Sequence, residues 1–271
     1  MKVIILIIAS KDSEHENDLL CQNKTWVSNC HKDVTVIYLR GWEKNYYFED
    51  KNILYVPCLE EYTLILTKTI LGLIYINNNY DFDILIRSNV STYFETHKMV
   101  KELNKQKYQG SFYGGYCDQS KGRHFGLAKV FEYVSGAGIF FSKDVVNDLT
   151  KLKPELYLGT ADDIALSDFV HKLGKQKIRI PRNNLQSTHI FIPTFYIRTK
   201  NSFDSSSASK RMMLIHEYFQ KKRGISRAIA YSKILNNECK EFVNHPESFG
   251  KYVAKNRVVF INFIKLKFGI P

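Results

Sequence analysis

The chain has 271 residues, of which 44% are hydrophobic and 14% aromatic, so it can bury a sizeable core and is not a disordered segment. A net charge of +12 and a pI of about 9.3 suit anionic partners: nucleic acid, an acidic membrane surface or a phosphorylated small molecule. Five scattered cysteines (Cys21, Cys30, Cys58, Cys117, Cys239) with no CxxC pair argue against a zinc site or disulfide framework, and for a reducing compartment.

Residues 1–9 form a continuous β-branched run, the pattern of a strand buried on both faces. The run is far shorter than the ~20 residues a membrane helix requires. Charged Lys11, Asp12 and Glu14 follow it where a signal peptide would have a cleavage site. We therefore expect a first strand, no membrane span and a cytoplasmic protein. A polar helix should follow through Trp26, then strands over 34–39 and 53–56. Strand, helix, strand in that order predicts an α/β fold, a mostly parallel sheet flanked by helices.

Residues 60–76 read as a deeply packed helix, apolar on almost every side, with Lys68 in its middle. Lys68 either snorkels to the surface from a helix edge or serves a site. Polar Asn77, Asn78 and Asn79 lead into a short strand over 83–86, which the sequence breaks at Arg87-Ser88-Asn89-Val90-Ser91. A buried strand ending in short polar residues delivers a binding site at its carboxyl end, and this strand end is taken as the centre of the active site.

A basic helix is expected over 93–107 and a glycine-containing strand over 112–117. Within residues 131–141, Gly136 and Gly138 flank Ala137, reading either as a turn that admits a ligand to the main chain or as a tight strand connection. Ser142 should cap a helix running to about residue 152. Thr160 or Asp162 should cap another over 163–173 that ends at Gly174. Strands over 177–180 and 190–197 come next, then a Ser-rich stretch over 201–209 that reads as a mobile loop or lid. Helices over 212–221 and 227–242 complete a catalytic domain over 1–204 and a helical extension over 205–271.

Two constellations carry chemistry. The adjacent Asp162 and Asp163 lie at a helix start, where dipole and free amides stabilise a carboxylate. Simple capping accounts for one of them, whereas a general base towards an acceptor hydroxyl would account for the other. The cations Arg198, Lys200, Lys210 and Arg211 surround the Ser-rich stretch; their default role is surface charge, but they would suit a diphosphate.

These segments together resemble the fringe and β1,3-galactosyltransferase-like glycosyltransferases, which have the GT-A fold. LLCQNKTW resembles the family's "RxTW" signature, and EEYTLILTKT resembles "YxNLTxKT" at Tyr62, Leu66, Lys68 and Thr69. YDFDILIRSNVS resembles "YDFxLKxDDD", YVSGAGIFFSKD resembles "YxSGxGYxLSxD", and GTADDIAL resembles the acidic "EDVxxG" segment. The likeness covers roughly residues 1–200.

The resemblance implies a GT-A-like, Rossmann-like enzyme that moves a sugar, with inversion, from a nucleotide diphosphate (usually UDP) to a glycan hydroxyl. Asp163 would be the base, with Asp162 its neighbour. Ala9, Ser10, Lys11, Lys68, Arg87, Ser88, Asn89, Ser91, Arg198 and Lys200 would serve the donor, and Ser135, Gly136, Ala137 and Gly138 would line the pocket. Two departures stand out: Asn89-Val90-Ser91 replaces the metal-binding "DxD", and the arginine of "RxTW" is missing. Mg or Mn relies on hard anionic oxygens. The reading preferred here is therefore transfer without a metal, with cations neutralising the leaving diphosphate. The alternatives are a metal held with His189, or a non-catalytic relative.

The basic residues form no aromatic-interleaved stripe, which argues against a nucleic-acid-binding protein. The tail over 251–267 alternates basic and large apolar residues, as a segment touching an anionic membrane with a lipid-linked acceptor would.

Overall fold

In the computed structural model, the described residues are 1–105, 110–120, 131–157, 159–180, 183–184, 195–200, 208–221 and 233–234. The elements in chain order begin with β1 (Val3–Ile8), α1 (Ser13–Gln22), β2 (Val34–Trp42), β3 (Phe48–Asp50), β4 (Ile53–Pro57) and α2 (Ile65–Asn79). β5 (Ile84–Asn89), β6 (Thr92–Phe94), α3 (Thr96–Lys105), β7 (Phe112–Ser120), β8 (Phe131–Ser142) and α4 (Lys143–Leu149) follow. The last are α5 (Asp162–Lys172), β9 (Gln176–Arg179), β10 (Asn183–Asn184), β11 (Tyr196–Arg198) and α6 (Ala208–Gln220).

Eight strands form one mixed sheet in the order β3-β4-β2-β1-β5-β8-β7-β9. β1 lies at its centre, parallel to both β2 and β5, and β2 is parallel to β4. β8 runs antiparallel to β5 and β7, so the parallel half ends at β5. Every residue of β1 is buried, which is why its sequence shows no alternation. Ile4, Leu6 and Ile8 join Leu39, Leu54, Ile70, Leu73 and Leu85 in one core. Each such buried side chain contributes roughly 1.5–3 kcal/mol. Helices α2, α4 and α5 pack on one another and on the strands of this sheet.

The chain divides into two units: 1–16, 30–90 and 96–181 in the first, and 17–29, 91–95 and 182–271 in the second. The division runs through residues 181/182 and takes two earlier segments into the second unit. In the second unit β11 pairs with β6 and β10, and Phe94 stacks on Tyr196 at 5.8 Å and meets Trp26 edge-on at 5.3 Å.

Several elements differ from expectation. The central strand continues through Asn89 and does not break at Arg87, and Asn77–Asn79 close the last turn of α2. Residues 131–142 form one strand, so Gly136–Gly138 is no turn. Its pairing with β7 shifts between Gly115 and Cys117. Ser142 does occupy the N-cap of α4, but its hydroxyl bonds the Phe112 backbone instead of a helix amide. No helix among the described residues is long and apolar enough to cross a membrane. His189, residues 201–207 and the basic tail lie outside the described residues.

Candidate active site

The carboxyl ends of β1, β2 and β5 carry polar side chains where their neighbours run out, and α2, α5 and β8 supply the partners. β5 contributes Arg87, which is 2% exposed. Its Nε donates to Asp162 Oδ2 at 2.9 Å and its Nη2 to Asp162 Oδ1 at 2.9 Å. Its Nη1 donates to Asn89 Oδ1 at 2.7 Å and to the Gly136 carbonyl. Thr69 of α2 donates to Asp162 as well, at 3.2 Å. Ser88 donates to the Ala137 carbonyl at 2.8 Å. The polar ends of β5 thus take up carbonyls of β8, and polar residues can continue a buried strand without leaving groups unpaired.

Asp162 and Asp163 occupy the first turn of α5, with Ala161 at the N-cap, so neither aspartate plays the capping role expected of Thr160 or Asp162. Their environments differ sharply. Asp162 is buried and paired to Arg87. Asp163 is half-buried; its Oδ2 accepts the Gly136 N–H at 2.9 Å and its Oδ1 the Ile164 N–H at 3.0 Å. Burial pushes the Asp163 carboxyl above the usual range and the Asp162 charge adds to it, while Arg87 and the two amides pull it back. A carboxylate whose proton affinity is raised in this way is suited to accept a proton.

Lys68 does not snorkel. It is 4% exposed, and its Nζ donates to the Ala9 carbonyl at 2.9 Å and to Glu60 Oε2 at 2.7 Å. Glu60 Oε1 in turn accepts the Gly41 N–H, so one ion pair ties the ends of β1 and β2 to the start of α2. A Cβ on Gly41 would run into the Cys58 carbonyl, which explains glycine at this close approach. Replacing Lys68 by Met should leave the Ala9 carbonyl and Glu60 short of a donor and cost about 1–3 kcal/mol, read from the urea midpoint.

Beside this pair lies a cavity of about 420 Å³, lined by Lys11, Gly41, Trp42, Lys44, Leu59 and Glu60 among others. Trp42 stacks on Phe48 at 5.5 Å and packs against Tyr55 at 5.4 Å, and the Lys11 ammonium lies 5.9 Å from the Tyr55 ring centre. Sequence reasoning singled out Lys11 but missed Trp42 and Glu60. Glu60 pairs with Lys68 eight positions on, outside the i,i+4 spacing that a helix pattern reveals. Asp12 caps α1, accepting the His15 N–H at 2.8 Å, and Ser10 Oγ lies 2.6 Å from His15 Nδ1.

The other expected donor residues lie in the second unit. Ser91 is buried there and its carbonyl accepts both the Thr199 amide and hydroxyl, at 2.8 and 2.9 Å; Arg198 is half-buried and Lys200 exposed. A divalent cation at the end of β5 would meet the Arg87 guanidinium, neutral Ser88 and Asn89, and an Asp162 whose charge is already paired. Among the described residues no group of three His, Cys, Asp or Glu is placed to hold a metal. These residues do not fit a divalent metal site.

The sheet order, the helix layer and the strand-end site define a GT-A-like, Rossmann-type fold. No protein-family model and no curated protein matches the chain. Among solved structures, it is similar to a glycosyltransferase involved in glycosylating the major capsid of PBCV-1. That likeness has a TM-score of 0.52 at 8% identity and covers 79% of this chain and 100% of that one. It is also similar to the galactosyltransferase LgtC in complex with donor and acceptor sugar analogs, with a TM-score of 0.47 at 11% identity over 83% of this chain and 99% of the other. The first of these likenesses, at 8% identity, shows the fold alone.

Proposed function

We propose that the chain is an inverting glycosyltransferase of the fringe-like kind, moving a sugar from a UDP-sugar to a hydroxyl of a glycan or lipid-linked acceptor, without a metal. The observation that carries the reading is the division of labour in the aspartate pair. Asp162 is consumed by Arg87, while Asp163 keeps a half-buried carboxylate held by two amides. In one displacement, Asp163 takes the acceptor hydroxyl proton. The acceptor oxygen then bonds the anomeric carbon as the bond from that carbon to the diphosphate oxygen breaks, and the electron pair leaves with the nucleotide.

The nucleotide belongs at the carboxyl ends of β1, β2 and β4, where an open α/β sheet binds ligands. The cavity at Trp42 offers an aromatic face for a base, with Lys11 and Lys44 for negative charge. Lys68 supports this place through Ala9 and does not touch the ligand.

Calorimetric titration with UDP and with GDP, each in Mn and in EDTA, tests the reading. UDP is expected to bind equally in EDTA and in Mn, and GDP more weakly. Binding of UDP only with Mn would overturn the metal-free mechanism. Binding of neither nucleotide would overturn the transferase assignment.

A further inference from the structure

Among the described residues of the first unit Arg87 is the most densely bonded cation, and its position on β5 puts it against two different elements that meet at Asp163. One side of its guanidinium forms a fork with Asp162, the residue before Asp163 on α5. The other side bonds the carbonyl of Gly136, whose own N–H is bonded to Asp163 Oδ2. Two routes into the Asp163 carboxylate, the helix backbone through Asp162 and the hydrogen bond from Gly136, are therefore anchored on one side chain. A Cβ at Gly136 would run into Arg87 Nη1 and would lie 3.2 Å from Asp163 Oδ2, so the approach depends on glycine there. Four of the five N–H groups of an arginine are used in these bonds and the one to Asn89, in a side chain 2% exposed.

We infer that Arg87 is the positioning residue of the site: it fixes the Asp163 carboxylate through Asp162 and through the residue Gly136, and it does not contact the donor diphosphate. This deepens the transferase reading and rests on Asp163 being its base. The fork matters, because a lysine keeps the charge but cannot grip Asp162 with two parallel donors while holding Gly136 with a third. The charged groups acting on Asp163 are Asp162 from its own helix and Arg87 from β5; β8 faces it with the uncharged Gly136 amide. Arg87 opposes ionic repulsion between the two aspartates, so the inference also fixes the sign of two titrations.

Three variants test it: Arg87→Lys, Arg87→Gln and Asp162→Asn. Arg87→Lys should lower kcat about 10- to 100-fold through a displaced base while the donor KM and the UDP Kd change less than about threefold. A residue that gripped the diphosphate would instead weaken UDP binding by more than about tenfold, and that result would overturn the inference.

An independent readout is the carboxyl carbon resonance of Asp163, assigned by its loss in Asp163→Asn and followed against pH. Its midpoint should fall in Asp162→Asn and rise in Arg87→Gln. Where Arg87→Gln does not fold, the double variant Arg87→Gln with Asp162→Asn stands in, its midpoint lying above that of Asp162→Asn because the charge of Arg87 is gone. Midpoints unmoved in all folded variants would overturn the link between Arg87 and Asp163. The resonance reads that link even if no nucleotide binds the wild-type protein, so failure of the transferase reading and failure of this inference are separable.

Discussion

Asp163→Asn should lower sugar transfer by about 10²- to 10⁴-fold, the range for removing a general base, and leave UDP affinity within about twofold. The substitution keeps the shape of the side chain, and one oxygen remains to accept the Gly136 N–H. The fold should therefore survive. The sign of the pH effect follows from the raised carboxyl. Since the folded protein holds the Asp163 proton more tightly than the unfolded chain does, this group favours the fold fully at pH below the unfolded carboxylate range. That contribution is lost as pH rises through the raised folded value. At pH 7 the ionised carboxylate is thus a cost to stability, through burial and its charged neighbour Asp162. The Asn variant should melt no lower than wild type at pH 7, and below pH 4 its advantage should vanish. In the wild type, kcat should rise with pH along a limb lying above the ordinary aspartate range, and residual activity of the Asn variant should lack that limb. A variant that kept the limb and most of its activity would remove Asp163 from the mechanism.

The order of the main strands was readable because of how the sheet is buried. β1, β2 and β5 lie side by side and are buried along almost their whole length, so apolar, often β-branched residues are favoured at nearly every position and leave near-continuous runs. β3, β6 and β10 have only two or three residues, too short for any period to show, and were missed. The end of β5 was misjudged for a different reason. Arg87, Ser88 and Asn89 look like the start of a loop, yet the strand continues because Arg87 and Ser88 bond β8 carbonyls that lie 49 positions away. Local sequence carries no trace of such a partner.

The site shows the same division. Asp162 and Asp163 stood out as a pair next to a helix start, and the structure puts them in its first turn. Which of the two is free depends on Arg87, 75 residues earlier, and could not be read from their neighbours. Lys68 in an apolar helix was ambiguous for the same reason, since the Ala9 carbonyl and Glu60 that bury it are set by folding and not by spacing. In both cases the charge was visible in the sequence, but the partner that neutralises it was not.

That partner effect sets the second large expectation, for Arg87→Met. The variant should lose about 3–5 kcal/mol, the cost of leaving one member of a buried ion pair without the other. Against a total stability of roughly 5–15 kcal/mol, this is enough to bring the protein close to unfolding at room temperature. The loss has little to do with the worth of the ion pair itself. Taking both charges out of water costs nearly as much as their attraction returns, whereas an unpaired Asp162 carboxylate, 4% exposed, keeps the cost and loses the return. The double variant Arg87→Met with Asp162→Leu should therefore recover at least half of the lost stability, as read from denaturant midpoints at equal m-value. It should not recover activity, because the Gly136 carbonyl and the first turn of α5 would no longer be joined by a common donor. A double variant as unstable as Arg87→Met alone would mean that the pair is needed for the fold itself. A stable double variant with wild-type transfer would mean that Asp163 is placed by its two amides without help. Stability recovered without activity is the result expected if the arginine fork places the proposed base and, net of desolvation, adds little to the stability of the fold.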